Sequence, residues 1–445
     1  MTWAERVRLE IRNGRITHLE ADCDPAPDDE RHGLALPGLP NVHSHGFQRG
    51  MAGLTERHAT EISGSKPDNF WSWRELMYRF VDRLGPDDLE ALTAQAYVEM
   101  LESGTTRVGE FHYLHHGPDG RGYSNLAEMA ERVVAAAATT GIGLTLLPVL
   151  YCHSGFGGTA ATAGQRRFIN ELDSYAQLLD RSRAAVVELP DANVGVAPHS
   201  LRATTPAQLR AAVELAGEGP IHIHVAEQIG EVEACVAWSG QRPAAWLLDH
   251  EAVSAQWCLI HATHLDDAEL QAFARTGAVA GLCPITEANL GDGIFRAHEF
   301  LAAGGRFGIG SDSNLLLDAA QELRALEYSQ RLTTRARNVL ASEMHSTGRR
   351  LFEGSWSGGV QALGLPGEVG LKQGAPADIV SLDRDHPTLV ERQHDALLDS
   401  WIFAGGHNVV DCVWRYGRKV VSGGRHIARE AIAARYRQSL QKLLA

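Results

Sequence analysis

His43-Ser44-His45 and His222-Ile223-His224 place imidazoles at two-residue spacing in two stretches far apart in the chain. In extended backbone, side chains two apart point to the same side, so His43 and His45 can both reach one divalent ion. The same rule faces His222 and His224 alike, with His224 at the end of the β-like run Ile221–Val225 and His222 one layer deeper. For His222 we expect a hydrogen-bonded core histidine rather than a ligand. Glu227 stands three residues beyond His224, where strand gives way to helix, so its carboxylate can overhang a metal held below. Metal hydrolysis needs such a group, because the attacking water loses a proton and a leaving nitrogen must gain one. The opposing reading of Glu227 is an acid favoured by a helix start. His261 ends the run Trp257–Ile260 and His264 follows on the loop. Asp312 emerges from Gly308-Ile309-Gly310-Ser311-Asp312-Ser313, where it can face a ligand or cap the next helix. A lone His-x-His also arises as ordinary strand-edge polarity. Four imidazoles and one carboxylate at successive strand ends are far harder to obtain by chance.

Positioning these groups falls to short apolar runs: Leu34–Leu39, Thr105–Phe111, Gly143–Val149, Val194–Pro198, Ile221–Val225, Trp257–Ile260, Ala278–Leu282 and Phe307–Ile309. Between them, Asp87–Leu101, Asn125–Ala138, Pro206–Leu215 and Asp266–Ala274 repeat apolar residues at helical spacing. Strands alternating with helices make a parallel sheet, and about eight units close into a barrel. An open doubly wound sheet gives the same alternation. The polar ends of the runs decide: His43, His45, Glu110, His112, His199, His224, His261 and Asp312 converge on one mouth only in a barrel. The expected fold is therefore α/β, a (β/α)8 TIM-like barrel over residues 37–365. Residues 1–36 and 366–445 are expected to form a second, small β-sandwich domain with a terminal helix from Ala428. Within it, Arg6–Ile11 and Ile16–Glu20 flank the turn signal Asn13-Gly14, and Val409–Tyr416 with Arg418–Ser422 reads as another hairpin. One helical region is expected from Leu315 to Met344 after the last barrel strand.

Composition narrows the partners. A net charge of −14 with no basic face disfavours nucleic acid, and no apolar run is long enough to cross a bilayer. Met1 to Leu9 lacks the features of a signal peptide, so a cytoplasmic protein is expected. Six scattered cysteines without a Cys-x-x-Cys pair predict reduced thiols rather than a disulfide framework. Only Lys66, Lys372, Lys419 and Lys442 occur, none near a barrel strand end, so a binuclear site bridged by a carbamylated lysine is not expected. One metal ion is the simpler reading.

Longer strings carry a resemblance. Asn41-Val42-His43-Ser44-His45-Gly46-Phe47-Gln48-Arg49, the aromatic stretch Phe70–Tyr78, Glu110-Phe111-His112-Tyr113, Ser154–Gly158 and Thr286–Gly293 resemble the amidohydrolase superfamily in its mononuclear deaminase branch. Across nearly the whole chain the sequence is similar to the N-formimino-L-glutamate deiminase family of histidine degradation. The resemblance implies Zn2+ held by His43, His45, His224 and Asp312, with Glu227, His261 and Asp312 catalytic, in a homodimer. It also implies that Gln48, Arg74, Tyr113, His199 and Arg202 hold a small dicarboxylate substrate. An arginine fork meets a carboxylate with two parallel hydrogen bonds, which suits Arg74 and Arg202; a solvated helix charge is the competing account of Arg74, weakened by its Trp71-Ser72-Trp73 setting. The implied reaction yields N-formyl-L-glutamate and ammonia. Deamination of a cyclic amidine such as guanine is the alternative, which the paired arginines disfavour. A non-catalytic barrel that has lost its metal is a further one, which the complete ligand set disfavours.

Overall fold

The computed structural model describes residues 2–56, 68–365, 367, 369–406 and 408–445; Lys66 and Pro366 lie outside them. Eight parallel stations form the barrel wall: Leu39–Ser44, Thr105–His112, Gly143–Leu150, Asn193–Val194 continued by Ala197–Pro198, Ile221–Val225, Trp257–His261, Val279–Leu282 and Arg306–Ile309. Most are buried along their whole length, because a parallel strand is covered by helices on one face and packed core on the other. They form two parallel sheets. The sheets meet through bridges at Val196–Ile221 and Ser200–His224 on one side and at Ser44–Asp312 on the other. His224 N donates to His199 O at 3.0 Å and Asp312 N to His43 O at 2.9 Å, so candidate site residues supply part of the backbone bonding that closes the ring.

Two expectations are corrected. The run Leu34–Leu39 is not one barrel strand. Ala35–Pro37 pairs antiparallel with Ile379–Leu382, and the first barrel strand begins at Leu39 and contains His43. Gly38 makes the transfer: its amide donates to Asp378 O, the next amide donates to Gly104 O, and a Cβ on Gly38 would stand 2.1 Å from Thr106 Cγ2. The chain is buried from Leu36 through Ser44, so the apolar pattern runs through the change of partner without a break. The second correction concerns the helical region, which ends at Thr334; a further helix, Thr347–Ala362, was not expected. Gly348, Gly354, Gly358 and Gly359 weaken its helical signal. Those glycines let the helix lie against the barrel, since a Cβ on Gly358 would stand 1.9 Å from Phe307 O and one on Gly359 2.9 Å from Pro40 Cβ. Gly358→Ala is therefore expected to lower stability by about 3 kcal/mol, read as a shift in the urea midpoint, despite its gain in helix propensity.

Outside the barrel, an antiparallel sheet runs Arg425–His426, Arg418–Ser422, Val410–Arg415, Ile379–Leu382, Ala35–Pro37. The hairpin Arg8–Arg12/Arg15–Glu20 turns at Asn13 and Gly14, both at positive φ (51° and 79°), as a primed turn requires. Ile16 at its start packs on Ala377 and Ile379. Helix Arg429–Leu444 ends the chain. All six cysteines are free, and among the described residues no helix is long and apolar enough to cross a membrane.

Candidate active site

His43, His45 and His224 bring one ring nitrogen each to a common point, all within 4.8 Å of one another and all buried. His224 Nε2 lies 3.1 Å from His43 Nε2. Asp312 Oδ1 completes the group, 3.5 Å from His43 Nε2 and 3.3 Å from His45 Nε2. The backbone fixes which nitrogens point inward. His45 Nδ1 donates to Phe111 O at 2.9 Å and His224 Nδ1 to His199 O at 3.0 Å, so both Nε2 atoms present lone pairs. Lone pairs and an anionic carboxylate oxygen face each other at van der Waals distance with no proton between His45 and Asp312. Such a donor set repels itself unless a cation joins it, and three imidazoles with one carboxylate suit a tetrahedral divalent ion. Burial drives the His43 imidazole down to about 3 and that of His224 well below its usual range, so both are neutral, as ligation requires. Against the cost of burial, the adjoining imidazoles of His43 and His45 hold the Asp312 carboxyl well below the usual range.

Glu227 and His261 stand over this cluster, 4% and 1% exposed. Glu227 Oε1 is 3.8 Å from His261 Nε2, which is also 3.8 Å from Asp312 Oδ2. Burial pushes the Glu227 carboxyl up to about 7, opposed by His261 and Arg202, which poises it to exchange a proton near neutrality. Glu227 precedes the helix Ile229–Ser239 rather than belonging to its first turn. Its turn is held by Glu231, whose Oε1 and Oε2 accept from the amides of Ala226 (3.3 Å) and Glu227 (3.2 Å). Asp312 caps nothing: the following helix begins at Ala319 and is capped by Asp318.

The remaining candidates divide. Gln48 Nε2 donates to Tyr113 Oη at 2.7 Å, beside the His45 ring, and Gln48 Oε1 is buried without a partner. His199 lies with its ring 4.8 Å from that of His224 and 4.6 Å from that of Tyr151. Arg74 and Arg202 converge on the same indole, their Cζ atoms 4.5 and 5.8 Å from the centre of Trp71, and the Nε of each is buried with no hydrogen-bond partner. His264 is turned away, Nε2 donating to Asp292 O at 2.8 Å. His222 donates from Nε2 to Ala362 O at 2.7 Å and is a core residue, as expected. Glu110, at a strand end, accepts from Gly46 N and Tyr97 Oη and so holds the turn after His45. Glu231 and Glu287 carried no role in the sequence. Glu231 sits on an ordinary helix start, and Glu287 was visible only as a letter in the string Thr286–Gly293.

The chain belongs to the amidohydrolase family: residues 34–420 match the Amidohydrolase family, and residues 2–33 match the Formimidoylglutamate deiminase HutF, N-terminal domain. Among curated relatives, the formimidoylglutamate deiminase of Pseudomonas aeruginosa is 51% identical over 447 residues, covering 99% of this chain and 97% of that one. The 8-oxoguanine deaminase of the same species is 26% identical, with 98% and 95% covered. Among solved structures, an amidohydrolase from Brucella melitensis aligns with a TM-score of 0.95 at 56% identity, covering 100% of this chain and 97% of that one. An adenosine deaminase from Xanthomonas campestris with bound zinc aligns at 0.80 and 22% identity over 98% and 94%, a likeness of fold.

Proposed function

We propose that the chain hydrolyses N-formimino-L-glutamate to N-formyl-L-glutamate and ammonia, a step of histidine degradation, with one Zn2+ held by His43, His45, His224 and Asp312. The observation that carries the substrate is the pair Arg74 and Arg202, two guanidinium groups facing one indole with unsatisfied Nε–H donors, Arg202 within electrostatic reach of Glu227. Formiminoglutamate brings two carboxylates to such donors, whereas a cyclic amidine such as guanine brings none. Similarity to the curated deiminase over nearly the full chain supports the same reading.

A divalent ion held by His43, His45, His224 and Asp312 would supply Lewis acidity, which makes water a nucleophile at neutral pH. Glu227, ionised above about pH 7, takes the proton of the attacking water and returns it to the departing nitrogen. His261 Nε2 and Asp312 Oδ2, 3.8 Å apart, hold that water by hydrogen bonds for attack on the formimino carbon. One water adds and one ammonia leaves, and the C–N bond to glutamate stays intact. Gln48, Tyr113 and His199 line the substrate's path, and the arginines take carboxylate.

The deciding experiment is ammonia release from formiminoglutamate before and after chelation. Turnover that disappears with the metal and returns with Zn2+ is expected; release from guanine instead would replace this substrate by the cyclic one. Arg202→Met should raise KM by about 100-fold, since losing two charge-assisted bonds to a carboxylate costs about 3 kcal/mol, with kcat changed far less. An unchanged KM would remove Arg202 from the binding site.

The rest of the assignment is of a piece with this. Residues 37–365 are taken as the barrel domain, and 1–36 with 366–445 as one small β-sandwich domain, supported by the pairing of Ala35–Pro37 with Ile379–Leu382 and the contact of Ile16 with Ala377. A homodimer in the cytoplasm is proposed, the location resting on a small metabolite as substrate and six unpaired thiols.

A further inference from the structure

We propose that Glu287 is a positioning residue for this reaction, its carboxylate holding His261 by Nδ1 so that Nε2 stays turned toward Glu227 and Asp312. The inference rests on the hydrolytic reading of the site given above. Glu287 Oε1 lies 3.3 Å from His261 Nδ1, with both side chains buried, at 4% and 1% exposure. The same oxygen accepts the amide of Cys283 at 2.9 Å, while the amide of Glu287 donates back to Cys283 O at 2.9 Å. The carboxylate is therefore tied to its own turn on one side and to the imidazole on the other. Across the ring, Nε2 stands 3.8 Å from Glu227 Oε1 and 3.8 Å from Asp312 Oδ2, which is the region an attacking water must occupy.

The partner's type sets His261 apart from the candidate ligands. His45 and His224 give Nδ1–H to backbone carbonyls, which are neutral and leave Nε2 to a cation. Among the four clustered imidazoles, His261 alone has a carboxylate behind it among the described residues. A charged acceptor suits a ring that must hold a proton on Nδ1 while its other nitrogen works on the water. His261 and Ala262 sit at φ of 64° and 49° in the left-handed region, which non-glycine residues occupy at a cost. A tether on the side chain keeps that turn aimed at the site.

The test is a double-mutant cycle with a spectroscopic companion, on the zinc-loaded full chain. Glu287→Leu is expected to lower kcat between roughly 10- and 100-fold at unchanged metal content, with KM within about threefold. Glu287→Gln should recover most of that loss, because two converging N–H donors draw the amide oxygen to the place of Oε1. In the His261→Asn background, Glu287→Leu should change kcat by less than about threefold, since the residue it acts through is gone. The downfield proton resonance of His261 Nδ1–H should be present in the parent and absent from both Glu287→Leu and His261→Asn. An equal loss in both backgrounds, or a resonance that survives Glu287→Leu, overturns the proposal. A parent protein inactive on formiminoglutamate overturns the proposed substrate instead, and the resonance then still decides Glu287.

Discussion

Glu227→Gln is expected to keep the bound metal and to lower kcat by about 10,000-fold, the upper range for a residue that both removes and delivers a proton. The carboxamide has the shape of the acid but cannot take a proton from water near pH 7, nor hand one to a departing nitrogen. Metal content should be unchanged because the four candidate ligands converge without Glu227, whose carboxylate lies 3.8 Å from His261 instead. KM should move little, because the carboxylates of the substrate are proposed to meet the arginines beside Trp71 rather than Glu227. The loss should persist at every pH, which separates it from a mere shift in ionisation. His261 is the other group able to carry a proton there, so turnover within tenfold of the parent would transfer the shuttle to it.

Much of this was legible in the chain because barrel chemistry sits where strands end. His224, His261 and Asp312 could be read as site residues from position alone, since a polar side chain closing an apolar run has few structural reasons to be there. His43 and His45 were legible by the two-residue rule, even though their strand starts later than the apolar pattern suggested and the run before it belongs to another sheet. What pattern could not reveal was partnership. The apolar period is identical whether Ala35–Pro37 pairs with the barrel or with Ile379–Leu382. The glycines of Thr347–Ala362 read as breakers, because the neighbours they make room for, such as Phe307 O at Gly358 and Pro40 at Gly359, lie far away along the chain. Glu231 and Glu287 escaped for the same reason: a carboxylate that holds another residue has no signature of its own, and its meaning is set by what the fold brings to it. The arginines were legible as charges, but their convergence on one indole was not.

The pair His222 and His224 allows the reading of the metal centre to be tested within a single strand. Both lie on Ile221–Val225, both are buried, and both have neutral imidazoles under the pressure of burial, so composition, spacing and protonation do not distinguish them. Geometry does. His224 gives Nδ1 to His199 O and presents Nε2 to His43 Nε2 at 3.1 Å, whereas His222 gives Nε2 to Ala362 O at the other end of the barrel. His224→Ala should therefore lower metal affinity by more than the roughly 100-fold typical of a residue that only supports a ligand, and turnover should vanish with the metal after dialysis. His222→Asn should retain both metal and turnover and lose about 1–3 kcal/mol of stability, the cost of leaving Ala362 O buried without its donor. Metal content measured on the two dialysed variants separates the cases without reference to any substrate. Retention of the ion by His224→Ala, or its loss from a folded His222→Asn, would mean that the cluster is centred elsewhere than on the nitrogen atoms that meet here.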